Sequence, residues 1–354
     1  MSGFLSTAKG HALGFRQRII GLFVALIAAN ILVWIWALIA LRDSPVLLGT
    51  AFLAYTFGLR HAVDADHIAA IDNATRKLMQ EDKRPIALGL FFSLGHSAIV
   101  IVMSTLVGLT AGSLADSFPE MKQIGGVIST LASASFLFFL AIFNILLFRS
   151  VYRTFKHVKA GLPIAATEMD ILSNGTGLLT RLFRSLFQMV SKSWHLFPIG
   201  FLFGLGFDTA TEVALFGISA SQATNGMSFS TILVFPALFT VAMSLVDTLD
   251  GILMIGAYGW AYERPIRKLY YNMTITAVSV VVALLVGGIE TLGLIGDKLG
   301  LEGSFWDIIA MLSGNFGMLG YVIIGVFSAS WLISIVIYRL KGYADIELAA
   351  VVNE

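Results

Sequence analysis

Seven consecutive residues in an otherwise apolar stretch hold His61, Asp64, Asp66 and His67, with Arg60 directly before them. Imidazoles interleaved with carboxylates can ligate a metal ion, relay protons or pair with one another. Further along, His96, Asp208, Glu212, Asp247, Asp250 and Glu290 also fall within apolar runs, and Asp72 closes the first of them. Asn144, Ser93, Ser97, Thr209, Thr211 and Thr248 lie in the same runs and read as hydrogen-bonding supports. The chain has no cysteine, which removes disulfides, thiolate ligands, iron–sulfur clusters and thiol catalysis. Any metal must therefore bind through imidazole, carboxylate, water or thioether.

The elements that position these groups follow from composition. Of 354 residues, 57% are hydrophobic and 13% charged, against about 25% charged in a soluble domain. With a mean hydropathy of +0.85, the chain reads as an all-α, polytopic membrane protein. Residues 19–41 form a charge-free run, and about 20 helical residues cross a bilayer core. Further spans are expected at 46–72, 86–110, 124–148, 197–220, 230–256, 273–297 and 318–339, eight in all. They divide the chain into a tail (1–18), spans 1–4 (19–148), a long loop (149–196), spans 5–8 (197–339) and a second tail (340–354). A helix over Leu178 to Met189 within the loop is expected to lie at the interface. Nineteen Lys and Arg fall on the side of the tails and the long loop against three on the other. By the positive-inside rule both termini are expected in the cytoplasm. The net charge of +1 and the lack of a basic, aromatic-interleaved segment exclude a nucleic-acid partner.

Eight carboxylates in predicted spans are costly, since one Asp at mid-membrane costs about 2.5–3.5 kcal/mol on insertion scales. They must face one another, water or a cation. Arg60 and Asp64, spaced i,i+4, are expected to neutralise each other as a structural ion pair. One Arg and three histidines cannot balance eight acids, so the remainder points to a bound cation or to protonated carboxylates. Imidazole among the acids favours a borderline transition metal over alkali or alkaline-earth ions, with a proton as the competing cargo. At about 100° per residue, His61, Asp66 and His67 project in different directions from a straight helix. A break is therefore expected between Arg60 and Ile68, of the kind tolerated where backbone lines a cavity. Gly200, Gly204, Asp208 and Glu212 recur every four residues and would share one face of a continuous helix 5. Met243, Asp247, Asp250 and Met254 share a face of helix 6. Glu290 reads equally as a structural group, a proton site or an exit ligand, and Asp72 has no assigned role.

Two motifs recur loosely. Phe57-Gly58-Leu59 returns as Phe203-Gly204-Leu205, aligning Asp66 with Glu212, and Ser93-Leu94-Gly95-His96-Ser97 returns as Ser244-Leu245-Val246-Asp247-Thr248. A four-plus-four parallel duplication is the expectation drawn from them.

The segment Arg60-His61-Ala62-Val63-Asp64-Ala65-Asp66-His67-Ile68 resembles the helix 2 signature of the nickel/cobalt transporter family, whose core is His, four residues, then Asp-His. Leu94-Gly95-His96-Ser97, Leu205-Gly206-Phe207-Asp208-Thr209-Ala210-Thr211-Glu212 and Asp247-Thr248-Leu249-Asp250-Gly251 resemble that family's helix 3, 5 and 6 motifs, in the same order. The resemblance covers roughly residues 15–340 and is closest to the bacterial high-affinity nickel permeases. It implies uptake of Ni²⁺, Co²⁺ or both across the cytoplasmic (inner) membrane, with the metal as substrate rather than resident cofactor. It implies His61, Asp66 and His67 as metal-binding positions with His96 near them; Asp64, beside them in the sequence, is expected as a further carboxylate ligand. It implies Asp208, Glu212, Asp247 and Asp250 as a transport path.

No phosphate-binding Gly-x4-Gly-Lys-Ser/Thr loop is present, so the expected mechanism is secondary transport driven by the membrane potential, with proton coupling open. The alternative from another class is an intramembrane metal-dependent hydrolase, with His61, His67 and His96 around a catalytic metal. The expected partners are a divalent transition-metal ion and the lipid bilayer; the sequence carries no signal for an oligomeric state.

Overall fold

The computed structural model describes residues 2–80, 83–110, 118–159, 190–205, 209–261 and 265–340. Every regular element among them is helical. In chain order these are α1 (Ser2–Ala40), α2 (Pro45–His61), α3 (Ala65–Gln80), α4 (Leu88–Thr110), α5 (Phe118–Lys159), α6 (Leu196–Gly204), α7 (Ala210–Thr224), α8 (Phe229–Ile232), α9 (Val234–Ala261), α10 (Pro265–Leu299), α11 (Ser304–Ser313) and α12 (Phe316–Leu340). The expected interfacial helix at Leu178–Met189, residue Asp208 and the 341–354 tail lie outside the described residues. α1 starts at Ser2, so the stretch expected as an N-terminal tail continues the first helix.

Six described segments are long and apolar enough to cross a membrane: Gly14–Ala40, Leu88–Leu106, Gln123–Leu146, Phe229–Ala257, Met273–Leu299 and Phe316–Ser334. α2 and α3 make a seventh if they are taken as one interrupted crossing. The eighth expected span, 197–220, falls on two short helices, α6 and α7, each below the length of a crossing. Exposed Ile20, Val24, Ile27, Ile31 and Leu38 recur along one side of α1, the stripe that a lipid-facing helix presents.

The described chain forms two units. The first comprises Met1–Val63, Ile86–Ser129 and Leu196–Gly251. Its buried apolar side chains include Ala54, Ile99, Val100, Phe235, Leu238, Phe239 and Met243. Helices here approach backbone to backbone, because the contact positions are glycine. A Cβ on Gly58 of α2 would run into the Phe239 carbonyl of α9, and one on Gly204 of α6 would meet the His96 backbone of α4. Asn30 ties α1 into this unit, donating to the Val241 carbonyl at 3.2 Å and accepting from the Tyr55 hydroxyl at 3.1 Å.

These contacts correct the expected parallel duplication. Ser93 of α4 meets Ser244 of α9 at 3.1 Å, while Gly89 lies against the backbone of Asp247 and Thr248. Moving back along α4 moves forward along α9, so the two helices run antiparallel. The repeated motifs also map α2 onto α6 and α4 onto α9. Two helices exchanged by this relation and running in opposite directions form an inverted repeat, with its pseudo-two-fold axis across the helices rather than along them.

The second unit comprises Asp64–Pro85, Thr130–His195 and Ile252–Glu354. In it α3 packs against α10 and α12, and α11 against α10. Two polar layers lie on α5 and α10. In one, the Ser133 hydroxyl faces both Glu290 oxygens at 2.8 Å. In the other, the Asn144 amide donates to Asn73 Oδ1 at 2.6 Å, and Ser279 donates to Asp72 Oδ2 at 2.9 Å. The layers are 11 residues apart on both helices, about 16 Å at 1.5 Å per residue. Buried Ala134, Leu137, Leu140, Ala141, Ala283 and Val286 fill the interval.

Arg76 and Lys77, expected in a cytoplasmic loop, instead sit inside α3 and are fully buried. Arg76 Nη2 donates to Asn73 Oδ1 at 3.2 Å and Lys77 Nζ to the Val190 carbonyl at 2.5 Å.

Candidate metal centre

His61 is the last residue of α2, and the helix stops there. Val63 N–H turns back to the Arg60 carbonyl at 3.0 Å, one residue short of the α-helical step. α3 then begins at Ala65, with Ile68 N–H bonded to the Asp64 carbonyl at 3.2 Å. Asp66 Oδ1 accepts the His67 N–H at 2.9 Å, satisfying one of the donors that a helix start leaves open. The break expected between Arg60 and Ile68 is present.

Helix 5 is interrupted as well. α6 ends at Gly204, and Thr209 has the extended backbone of an N-cap (φ −82°, ψ 143°) before α7 begins at Ala210. Gly200, Gly204 and Glu212 therefore do not line one continuous helical face, which corrects that expectation for the described residues; Asp208 lies outside them. Glu212 enters the first turn of α7, where the positive end of the helix dipole favours a carboxylate. Asp66 holds the matching place in the first turn of α3.

Within the first unit, three of the expected residues converge. His61 Nε2 lies 2.8 Å from His96 Nε2, and His96 Nε2 lies 2.9 Å from Glu212 Oε1. All three side chains are buried. The other ends of two of them are held by threonines. Thr211 Oγ1 is 3.4 Å from His61 Nδ1, and Thr209 Oγ1 donates to Glu212 Oε2 at 2.9 Å. The Phe239 ring covers His61 with centroids 5.5 Å apart. Asp247, in the same unit, is fully buried, and Asp250 is half-buried.

In the second unit, Asp64 and His67 are buried and Asp66 half-buried at the start of α3. Asp72 and Asn144 belong to one polar layer and Glu290 to the other. The i,i+4 premise for pairing Arg60 with Asp64 is not met, because α2 ends at His61; Arg60 is exposed and Asp64 buried. Phe239, Ser133, Asn73 and the buried pair Arg76 and Lys77 were not singled out by sequence. The sequence signal for Asn73 and Ser133 was only a polar residue within or beside an apolar run, and for Phe239 there was none.

Two imidazoles in contact, one of them bonded to a carboxylate, on two interrupted helices and one continuous one, make a buried donor set of a kind suited to holding a cation. Comparison with known proteins bears on which. A family model of high-affinity nickel-transport proteins matches residues 47–337. The chain belongs to this family. It is 56% identical to the high-affinity nickel transport protein of Cupriavidus necator, over 95% of both chains. It is 46% identical to the nickel transporter NixA of Staphylococcus aureus, over 85% of this chain and 88% of that one. It is 38% identical to the cobalt transport protein NhlF of Rhodococcus rhodochrous, over 83% and 84%. No solved structure matches it. This nickel-transport family member is thus a transport protein and not an enzyme, and the hydrolase alternative finds no support among its relatives.

Proposed function

We propose that the chain takes up Ni²⁺ across the cytoplasmic membrane as a secondary transporter, binding the ion through His61, His96 and Glu212. Asp66 and His67 join the ligand set, as the helix 2 motif implies, with Asp64 as a further oxygen donor. Asp208, Asp247 and Asp250 continue the path. Both termini face the cytoplasm in this reading, which the Lys and Arg distribution supports.

The observation that carries this reading is the crowding at His96 Nε2. That nitrogen is within 2.9 Å of both His61 Nε2 and Glu212 Oε1, yet it can hold only one hydrogen. Protons satisfy three converging acceptors poorly. A single divalent ion satisfies them together. Imidazole nitrogen and carboxylate oxygen are donors that Ni²⁺ accepts. Co²⁺ accepts the same donors but stands below nickel in the affinity series, so cobalt is a second, weaker cargo.

A divalent ion moving inward gains about 4.6 kcal/mol per 100 mV of membrane potential, enough to drive accumulation without ATP. The test is ⁶³Ni²⁺ uptake into proteoliposomes under an imposed inside-negative potential. Uptake is expected in wild type and lost in His61→Ala and Glu212→Gln. Uptake absent under potential alone but restored by a pH gradient would replace uniport by proton coupling, and uptake unaffected by both substitutions would overturn the reading.

A further inference from the structure

The hydroxyls of Thr209 and Thr211 connect the two far ends of the metal centre, and their hydrogens can be assigned by counting. Glu212, as the anion that a divalent cation requires, only accepts. The 2.9 Å contact from Thr209 Oγ1 to Glu212 Oε2 therefore uses the one Thr209 hydroxyl hydrogen. The 3.2 Å contact between Thr209 Oγ1 and Thr211 Oγ1 must then be donated by Thr211. That commits the one Thr211 hydrogen, so the remaining contact, 3.4 Å from Thr211 Oγ1 to His61 Nδ1, needs its hydrogen from the imidazole. With Glu212 ionised, any other assignment leaves two acceptors facing each other beside the buried Thr211 and the half-buried Thr209, at a cost in free energy.

We propose that Thr211, backed by Thr209, is a positioning residue that locks His61 as the Nδ1–H tautomer, so that the Nε2 lone pair is presented to the transported ion. The hydroxyl chain runs from His61 Nδ1–H through Thr211 and Thr209 to Glu212, orienting two ligands with one set of bonds. A hydrogen on Nε2 instead would occupy the coordination position. Hydrogen bonding at the non-ligating nitrogen is the general way in which proteins set the tautomer and basicity of a metal-binding histidine. Here the partner is a hydroxyl relay that ends on a second ligand of the same ion. The inference rests on the metal reading for His61 and Glu212, but its direct readout needs no metal.

The experiment uses the full-length protein in detergent, metal-free and labelled with ¹⁵N-histidine, with His61→Ala to assign the His61 signals. Wild type is expected to show His61 with hydrogen on Nδ1. Thr211→Val, which keeps the shape and removes the hydroxyl, should shift His61 toward the Nε2–H form, and Thr211→Ser should restore it. In ⁶³Ni²⁺ uptake, Thr211→Val should raise the KM about 10–100-fold, the usual effect of losing such a partner, with the maximal rate nearly kept and Thr211→Ser close to wild type. An Nε2–H His61 in wild type, or a tautomer indifferent to Thr211→Val, would overturn the proposal. A tautomer that behaves as stated while His61→Ala leaves nickel uptake intact would instead defeat the metal reading. Size-exclusion profiles of Thr211→Val and Thr211→Ser, expected to match wild type, exclude misfolding as the cause.

Discussion

Ser93 and Ser244 occupy equivalent places in two repeated motifs and touch each other at 3.1 Å. A residue that contacts its own counterpart lies near the axis relating the repeats, which places the axis between α4 and α9. One turn further along each helix stand His96 and Asp247, so the repeat pairs an imidazole on one side with a carboxylate on the other. The two helix interruptions, after His61 and after Gly204, are likewise counterparts. Interrupted helices meeting at the interface of an inverted repeat are a recurring construction for ion sites in transporters.

The glycine contacts between helices carry a stability prediction. Gly58→Ala and Gly204→Ala each place a Cβ against backbone atoms of a neighbouring helix, and overpacking of this kind typically costs about 1–3 kcal/mol. Gly49→Ala, with open space around the added carbon, should be neutral or slightly stabilising, as alanine is the better helix former by up to about 1 kcal/mol. Thermal unfolding in detergent checks this. Equal midpoints for all three variants would remove the close-packing account.

Orientation is testable because the chain has no native cysteine. Single cysteines in place of Asp43 and Glu302 are expected to react with a membrane-impermeant maleimide added outside intact cells, whereas one in place of Lys83 should react only after permeabilisation. The reverse pattern would place the termini outside.

The polar layer of the second unit should behave as structure. Asn144→Leu removes the donor to Asn73 Oδ1 and leaves the longer contact from Arg76 Nη2 at 3.2 Å. Loss of a buried partner costs about 1–3 kcal/mol. Lower thermal stability with an unchanged KM for nickel is expected. A raised KM at wild-type stability would move Asn144 into the transport path.

Much of this was legible from residue types. His61, His96 and Glu212 stood out because charged and polar groups are costly inside apolar runs, and the divergent directions of His61, Asp66 and His67 foretold the break after α2. The second break was hidden, because Gly200, Gly204 and Glu212 keep a helical spacing that says nothing of the extended Thr209 between them. The direction of the repeat was also misread. Motif similarity is indifferent to orientation, and only the antiparallel register of Ser93 with Ser244 and Gly89 with Asp247 decides it. Arg76 and Lys77 read as loop charges because basic residues usually mark the cytoplasmic side; α3 runs on to Gln80 and buries both.

Nickel K-edge X-ray absorption on the purified, nickel-loaded protein measures the ligand set directly. At least two imidazoles and carboxylate oxygen are expected about 2.0–2.1 Å from the metal, with one imidazole lost in His61→Ala and one in His96→Ala. A shell made only of oxygen, or imidazole scattering unchanged in both variants, would contradict binding of the transported ion by His61, His96 and Glu212.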